Sequence, residues 1–210
     1  MYDSIIFDMD GTLWDSTPET ADAYNIVLKE KYPEVTDEVT AEKLKGLFGL
    51  PLDEIAVKLY KSVPVEHACH VIHECCDYEI EYLTVSGAKL YDGLYDTLQE
   101  LYKKYKLFIL SNCQEGYIQC FFKVNPDLEQ YFTDYEYYGR CGKPKAENIR
   151  LLMERHQLKN PVYVGDTLGD ANSSREAGIP FVYARYGFGN VKDYDMVVDS
   201  FRELPEVLSR

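Results

Sequence analysis

The stretch Ser4-Ile5-Ile6-Phe7-Asp8-Met9-Asp10-Gly11-Thr12 constrains this chain more than any other. Three consecutive large apolar residues, two of them β-branched, read as a short strand buried on both faces, the pattern of a parallel sheet covered by helices on each side. The strand stops where two carboxylates, a glycine and a hydroxyl arrive together. Open parallel sheets hold ligands beyond the carboxyl ends of their strands. Asp8 therefore belongs at a crevice mouth, with Asp10 just past it and Gly11 letting the backbone turn away. Carboxylates this close repel unless a cation or a shared proton lies between them. A hard divalent ion with oxygen ligands meets that need, and beside an anionic substrate Mg²⁺ is the natural choice. Taken alone, the pair also fits ordinary turn residues after a strand.

A chain of 210 residues suffices for one α/β domain plus a smaller attachment, and the two need not be sequential. Lys and Arg total 22 against 36 Asp and Glu, a net charge of −14 spread along the chain, which argues against nucleic acid as a partner. The same charge repels anionic substrates at long range, so a phosphate site must supply its own positive charge locally, by metal plus lysine. No apolar run reaches the roughly 18 residues of a membrane span, and the N-terminus lacks the regions of a signal peptide. The expectation is a cytoplasmic protein, with no membrane and no obligate protein partner inferred, whose six cysteines are free thiols.

Along the chain, Ala21, Tyr24, Val27 and Leu28 recur at helical spacing, and Pro33 ends that pattern. Further helices are expected over 39–47, 52–60 and 66–83, with no strand alternation between Thr17 and Thr84. This block reads as a small helical unit inserted straight after the first strand. Strand-and-helix alternation resumes near Ser86-Gly87-Ala88. Apolar runs at 107–110, 135–138, 161–164, 181–184 and 196–198 read as strands, with helices through Leu94 to Tyr102, Tyr117 to Phe122, Ile149 to His156 and from about Phe201. Pro144 suits the first turn of the third of these. The whole is an α/β chain with a doubly wound parallel sheet, residues 1–15 and 87–210 forming the core and 16–86 the helical insert.

Successive strand ends then carry Asp8 and Asp10, Ser111 and Asn112, Lys143, and Asp166 and Asp170. In a doubly wound sheet these ends share one edge and converge. An aspartate carboxylate can attack phosphorus and form an acyl phosphate, a role for Asp8. Asp10 would protonate the leaving oxygen and later take a proton from water. Lys143 and Mg²⁺ would neutralise the phosphoryl oxygens while the Ser111 hydroxyl and nearby backbone N–H groups orient them. The phosphate-binding set is Thr12, Ser111, Asn112 and Lys143. Asp166 completes the metal site, with Asp170 beside it as ligand or supporting acceptor.

Asp8-Met9-Asp10-Gly11-Thr12, Ser111-Asn112, Lys143-Pro144 and Gly165-Asp166-Thr167-Leu168-Gly169-Asp170 resemble, in order and context, the four motifs of the haloacid dehalogenase-like hydrolase superfamily. The resemblance covers essentially the whole chain. It extends to the helical insert, which looks like that superfamily's mobile cap, and to Leu13-Trp14-Asp15-Ser16, which is similar to a segment of phosphoglycolate phosphatase-like members. It implies a Rossmann-like core and a Mg²⁺-dependent phosphoric monoester hydrolase acting on a small phosphate ester, with phosphoglycolate as lead substrate. Small sugar phosphates, nucleoside monophosphates and pyrophosphate stay open. It also implies Asp8 as nucleophile and metal ligand, Asp10 as general acid/base and metal ligand through its backbone carbonyl, Ser111 and Lys143 as phosphate binders, and Asp166 and Asp170 as the acidic metal ligand and its support. Dehalogenase-type and phosphonate-cleaving members lack an equivalent of Asp10. Sugar-phosphate phosphomutases keep it, so a mutase is the alternative, followed by a non-catalytic phosphate-binding protein.

Other signals have plainer readings. His67, Cys69, His70, His73, Cys75 and Cys76 match no standard zinc spacing, and Cys69, Ile72, Cys76, Ile80 and Leu83 make a buried helical stripe. The tyrosines dense around 131–138 lack a basic patch and read as strand or rim aromatics rather than a base-stacking surface. Gly46 to Pro51 reads equally as a substrate-facing loop and as a helix break.

Overall fold

The computed structural model describes residues 2–209 and, at Cys141, the backbone alone. In chain order, β1 (Ser4–Phe7) and the two-residue β2 (Trp14–Asp15) precede four helices, α1 (Thr17–Lys31), α2 (Ala41–Lys45), α3 (Leu52–Leu59) and α4 (Val65–Ser86). Then come β3 (Lys89–Leu90), α5 (Leu94–Leu101), β4 (Lys106–Ser111), α6 (Tyr117–Val124), β5 (Phe132–Tyr137), α7 (Tyr138–Cys141) and α8 (Lys145–His156). The chain finishes with β6 (Pro161–Gly165), α9 (Leu168–Ala177), β7 (Phe181–Ala184), β8 (Met196–Val198) and α10 (Leu204–Val207).

Six strands form one parallel sheet in the order β5-β4-β1-β6-β7-β8. β1 lies between β4 and β6, with Phe7 opposite Ile109 on one side and Val164 on the other. The alternation of strand side chains then sends Ile5 and Phe7 to one face and Ile6 to the other. Ile5 and Phe7 join a hydrophobic cluster with α5, α6 and α10, whereas Ile6 joins a second cluster with α8 and α9. Both faces are covered, which is why β1 is apolar throughout. From β1 the chain continues to one side of the sheet, and from β6 to the other. The crevice between their carboxyl ends is the switch point at which such sheets bind ligands.

Helices α1–α4 gather a third hydrophobic cluster of their own, through Tyr24, Val27, Ile55, Val71, Ile72 and Cys76 among others. Helix α4 also reaches the first cluster, because Leu83 and Ile80 pack there against α6. The chain crosses between the insert and the sheet at a pair of short antiparallel strands, Trp14 opposite Leu90 and Asp15 opposite Lys89. Two residues per strand are too few to leave an alternation in the sequence. The fifth strand runs over 132–137 rather than 135–138, with Tyr138 opening α7. Pro144 sits one place before α8, at its N-cap, so the first helical residue is Lys145. Among the described residues no helix is long and apolar enough to cross a membrane, and Cys69, Cys75, Cys76, Cys113 and Cys120 are free thiols.

Candidate active site

Asp8 follows the last residue of β1, donates its backbone N–H to the Val164 carbonyl at 2.8 Å, and is 3% exposed. Asp166 follows β6 directly and is fully buried. Its Oδ2 accepts the Phe188 N–H at 2.7 Å, and its Oδ1 takes a longer contact from the Thr12 hydroxyl at 3.4 Å. Gly11, at φ +81°, passes so close that a Cβ there would lie 2.3 Å from Asp166 Oδ2. Its backbone conformation and its lack of a side chain are both required for the two strand ends to meet.

Asp170 stands in the first turn of α9, where its Oδ2 accepts from the Thr167 N–H and hydroxyl while the Asp170 N–H donates back to Thr167 Oγ1. That reciprocal cap fixes the carboxylate through Oδ2 and leaves Oδ1 to a cation. The cation that meets it is Lys145: its Nζ lies 2.6 Å from Asp170 Oδ1 and 2.8 Å from Asp8 Oδ1, with the ammonium 5.6 Å from the centre of the Tyr163 ring. Burial disfavours the Lys145 charge, but the carboxylates of Asp170 and Asp8 outweigh it and hold the ammonium protonated. Burial, then Asp170, pushes Asp8 up to about 7 against the opposing pull of Lys145. The same two causes, with Asp8 itself, raise Asp166 well above the usual carboxylate range.

Lys143 does not take part. Its ammonium lies on the surface, 3.9 Å from Glu147, with 45% of the side chain exposed. The correction from Lys143 to Lys145 follows from the helix start. With Pro144 at the N-cap, Lys145 opens the buried face that continues through Ile149 and Leu152, while Lys143 lies outside the helix. The other expected residues divide similarly. Ser111 lines the cleft, its Oγ accepting from the Cys113 N–H at 3.3 Å. Asn112 also lines it, but its amide donates to the Gly49 carbonyl at 2.8 Å and thereby ties the 46–51 loop of the insert to the end of β4. Thr12 is fully buried, its hydroxyl 3.4 Å from Asp166 Oδ1, which makes it a support for that carboxylate.

Asp10 stands apart from the other three carboxylates. Its Oδ1 accepts from the Ser16 hydroxyl at 2.8 Å and from the Tyr117 hydroxyl at 2.7 Å. Burial pushes it up to about 7 in spite of those two donors, with Glu79 adding to the rise. Glu79, on α4, is a residue that sequence reasoning missed. It is 2% exposed, lines the same cleft, and accepts from Thr20, Gln114 and Tyr24. Its signal was its position: Ile72, Cys76, Glu79 and Leu83 follow helical spacing, so a carboxylate occupies a buried stripe. The histidines of α4 instead pair outward, His67 with Glu34, His70 with Tyr32 and His73 with Asp53.

Asp8, Asp166 and Asp170 offer carboxylate oxygens within 4.8 Å of one another, the one such group of potential metal ligands among the described residues. Ionised together, the three carboxylates against one ammonium would leave two negative charges in excess, in a place sheltered from water, which is why burial and mutual repulsion raise Asp8 and Asp166. The donor set is all oxygen, and a hard divalent cation fits both its chemistry and its charge.

The family described as haloacid dehalogenase-like hydrolase matches residues 5–184. A phosphoglycolate phosphatase of Vibrio parahaemolyticus is 26% identical, over 98% of this chain and 95% of its own length. One of Nitrosospira multiformis is 24% identical, over 99% and 96%. Among solved structures, one titled a predicted phosphoglycolate phosphatase from Haemophilus somnus superposes with a TM-score of 0.85 at 19% identity, covering 100% of this chain and 98% of its own. One titled a predicted phosphatase from Clostridium acetobutylicum gives 0.80 at 24% identity, with both chains fully covered. At these identities the structures speak for the fold.

Proposed function

The chain belongs to the haloacid dehalogenase-like hydrolases, and from that membership and the geometry around Asp8 we propose that it hydrolyses a small phosphomonoester through an aspartyl-phosphate intermediate, with Mg²⁺ bound. The observation that carries this reading is a pair of carboxylates with divided environments, the buried Asp8 held by Lys145 and the half-buried Asp10 held by two hydroxyls. Lys145 engages Asp8 Oδ1, and Oδ2 is the oxygen we assign to attack on phosphorus. A P–Oδ2 bond forms as the ester P–O bond breaks, and the leaving alkoxide takes a proton from Asp10. The raised Asp10 suits that donation, since it keeps a proton near neutral pH. In the second half Asp10 takes a proton from water, whose oxygen bonds to phosphorus. The acyl phosphate then breaks, returning the Asp8 carboxylate and inorganic phosphate.

Lys145 neutralises charge on the transferring phosphoryl group in the role expected of Lys143, and Ser111 orients that group. When bound, Mg²⁺ supplies further neutralisation at the phosphoryl oxygens; Asp8, Asp166 and Asp170 are the side chains that would hold it, with the Asp10 carbonyl added by the resemblance. The insert over 16–86 acts as a cap on the core formed by 1–15 and 87–210, and its opening admits ester and releases products. The cleft offers a volume of about 50 Å³, room for a few waters, which favours a small ester.

Phosphate release from a panel of small esters, with and without Mg²⁺, tests the reading. Turnover that needs the metal and vanishes in Asp8→Asn is the expected result. Phosphate release that survives in Asp8→Asn overturns the aspartyl-phosphate route, and isomerised sugar phosphate with little free phosphate would replace hydrolysis by mutase chemistry.

A further inference from the structure

Glu79 is a buried carboxylate that pairs with no cation among the described residues. Its Oε1 accepts from the Thr20 hydroxyl at 2.6 Å, and its Oε2 accepts from the Gln114 amide at 2.9 Å and, at 3.4 Å, from the Tyr24 hydroxyl. All three donors are neutral. Buried charges in proteins are ordinarily paired, because three neutral hydrogen bonds do not replace the hydration an anion loses. No lysine, arginine or histidine lines the cleft among the described residues, and the aromatic rings of Tyr24 and Phe48 share its wall with Glu79. An acidic group in a cleft wall shared with aromatic residues, out of water and without a cation among the lining residues, is a setting that favours an ammonium ligand.

The chemistry at the other end fixes which part of a substrate reaches Glu79. With phosphorus at Asp8 and the ester oxygen at Asp10, the organic remainder of the alcohol extends into the cleft whose wall Glu79 forms. A carboxylate on that remainder, such as phosphoglycolate carries, would find no cation in the wall and, whenever Glu79 is ionised, would face a like charge across a dry site.

We propose that the leaving alcohol carries an ammonium group, and that Glu79, with Tyr24 and Phe48, selects it: the substrate class is a small amino-alcohol phosphate. This deepens the phosphatase reading and rests on it. The test compares kcat/KM of the intact Mg²⁺-loaded enzyme for three esters of similar size, O-phosphoethanolamine, glycerol 1-phosphate and 2-phosphoglycolate, with p-nitrophenyl phosphate as a generic ester. The expected order falls from cationic through neutral to anionic, with phosphoethanolamine over phosphoglycolate by about a hundredfold or more, and with Glu79→Gln reducing that ratio by about tenfold or more. A flat series, or a preference for the neutral or anionic ester, overturns the inference while turnover of any ester leaves the phosphatase reading standing. No turnover of any of the four removes both. The wild-type series decides without the variant, so a Glu79→Gln protein that folds poorly does not shelter the proposal.

Discussion

Lys145 occupies the position in α8 from which Ile149 and Leu152 follow on the buried face, and a lysine there is expensive unless something meets its charge. Asp8 and Asp170 meet it. Replacing Lys145 by Met should lower kcat by about 10²–10³, the usual scale for removing one charge-stabilising donor from an active site. Lys143→Met should leave kcat within about twofold, because an exposed pair of that kind contributes little. Steady-state kinetics on one ester decides between them, and the reverse pattern would return the role to Lys143. The neighbouring Pro144 and the motif order point to Lys143; the stronger signal is a charge on an apolar stripe, which Glu79 on α4 repeats. Burial pushes Glu79 up to about 7 against its three hydrogen bonds, from an unfolded value near 4.5. Thr20 and Tyr24 of α1, Cys76 of α4, Gln114, and Asp10 with Tyr117 face it or interact with it. Between those two pH values the folded state binds more protons than the unfolded chain, so stability falls as pH rises through the window. The contribution is up to about 3 kcal/mol between pH 5 and pH 8. Glu79→Gln should remove that fraction of the slope, so denaturant melts at both pH values should show the variant gaining on the wild type as pH rises. A difference between the two proteins that does not change with pH would mean that Glu79 does not titrate in the folded state.

Among the elements, the strands that set the site were readable because each is a short apolar run ended by polar residues. Ile5-Ile6-Phe7 before Asp8 and Pro161 to Val164 before Gly165-Asp166 are buried on both faces, and residues alternating between two cores leave an uninterrupted hydrophobic signature. β2 and β3 were not readable, since their pairing is decided by tertiary contact at the insert's junction. The 46–51 loop was open between two roles, and its contacts favour a substrate-facing one. Gly49 lines the cleft, accepts the Asn112 amide through its carbonyl, and adopts φ +89° with Thr167 Cγ2 3.2 Å from where a Cβ would stand. Beside it Phe48 meets Phe188 edge-on, and Lys45 lies 5.6 Å from the centre of the Phe188 ring while pairing with Asp15. Gly49→Ala would combine a left-handed backbone strain of roughly 1 kcal/mol with pressure on the Thr167 cap that holds Asp170, and both act against the closed loop. The expected outcome is a fall in kcat/KM of about fivefold or more, measured on the best ester of the panel. Unchanged kinetics would detach this loop from the working site.

At the scale of the whole molecule the governing fact is the net charge of −14. Its field repels an approaching phosphate ester, and the cleft adds Glu79 and Asp10 behind the entrance without a lining cation among the described residues. The compensating positive charge sits deep, on Lys145, where Asp8 and Asp170 pair with it and little of its attraction reaches solvent. Capture therefore works against the long-range field and depends on short-range contacts once the ester is inside. Salt separates the two contributions, because the Debye length shrinks from about 30 Å at 0.01 M to about 10 Å at 0.1 M ionic strength. Over that range kcat/KM for 2-phosphoglycolate, with its extra negative charge, should rise by about threefold or more as the repulsion is screened. For O-phosphoethanolamine, whose ammonium offsets one phosphate charge, the rise should be smaller, and at high salt its attraction to Glu79 should persist because a buried pair is poorly screened. The measurement is kcat/KM for both esters against ionic strength at constant free Mg²⁺. Parallel curves would show that the acidic surface does not discriminate between them, and a fall for phosphoglycolate would require a cationic approach path at odds with this charge distribution.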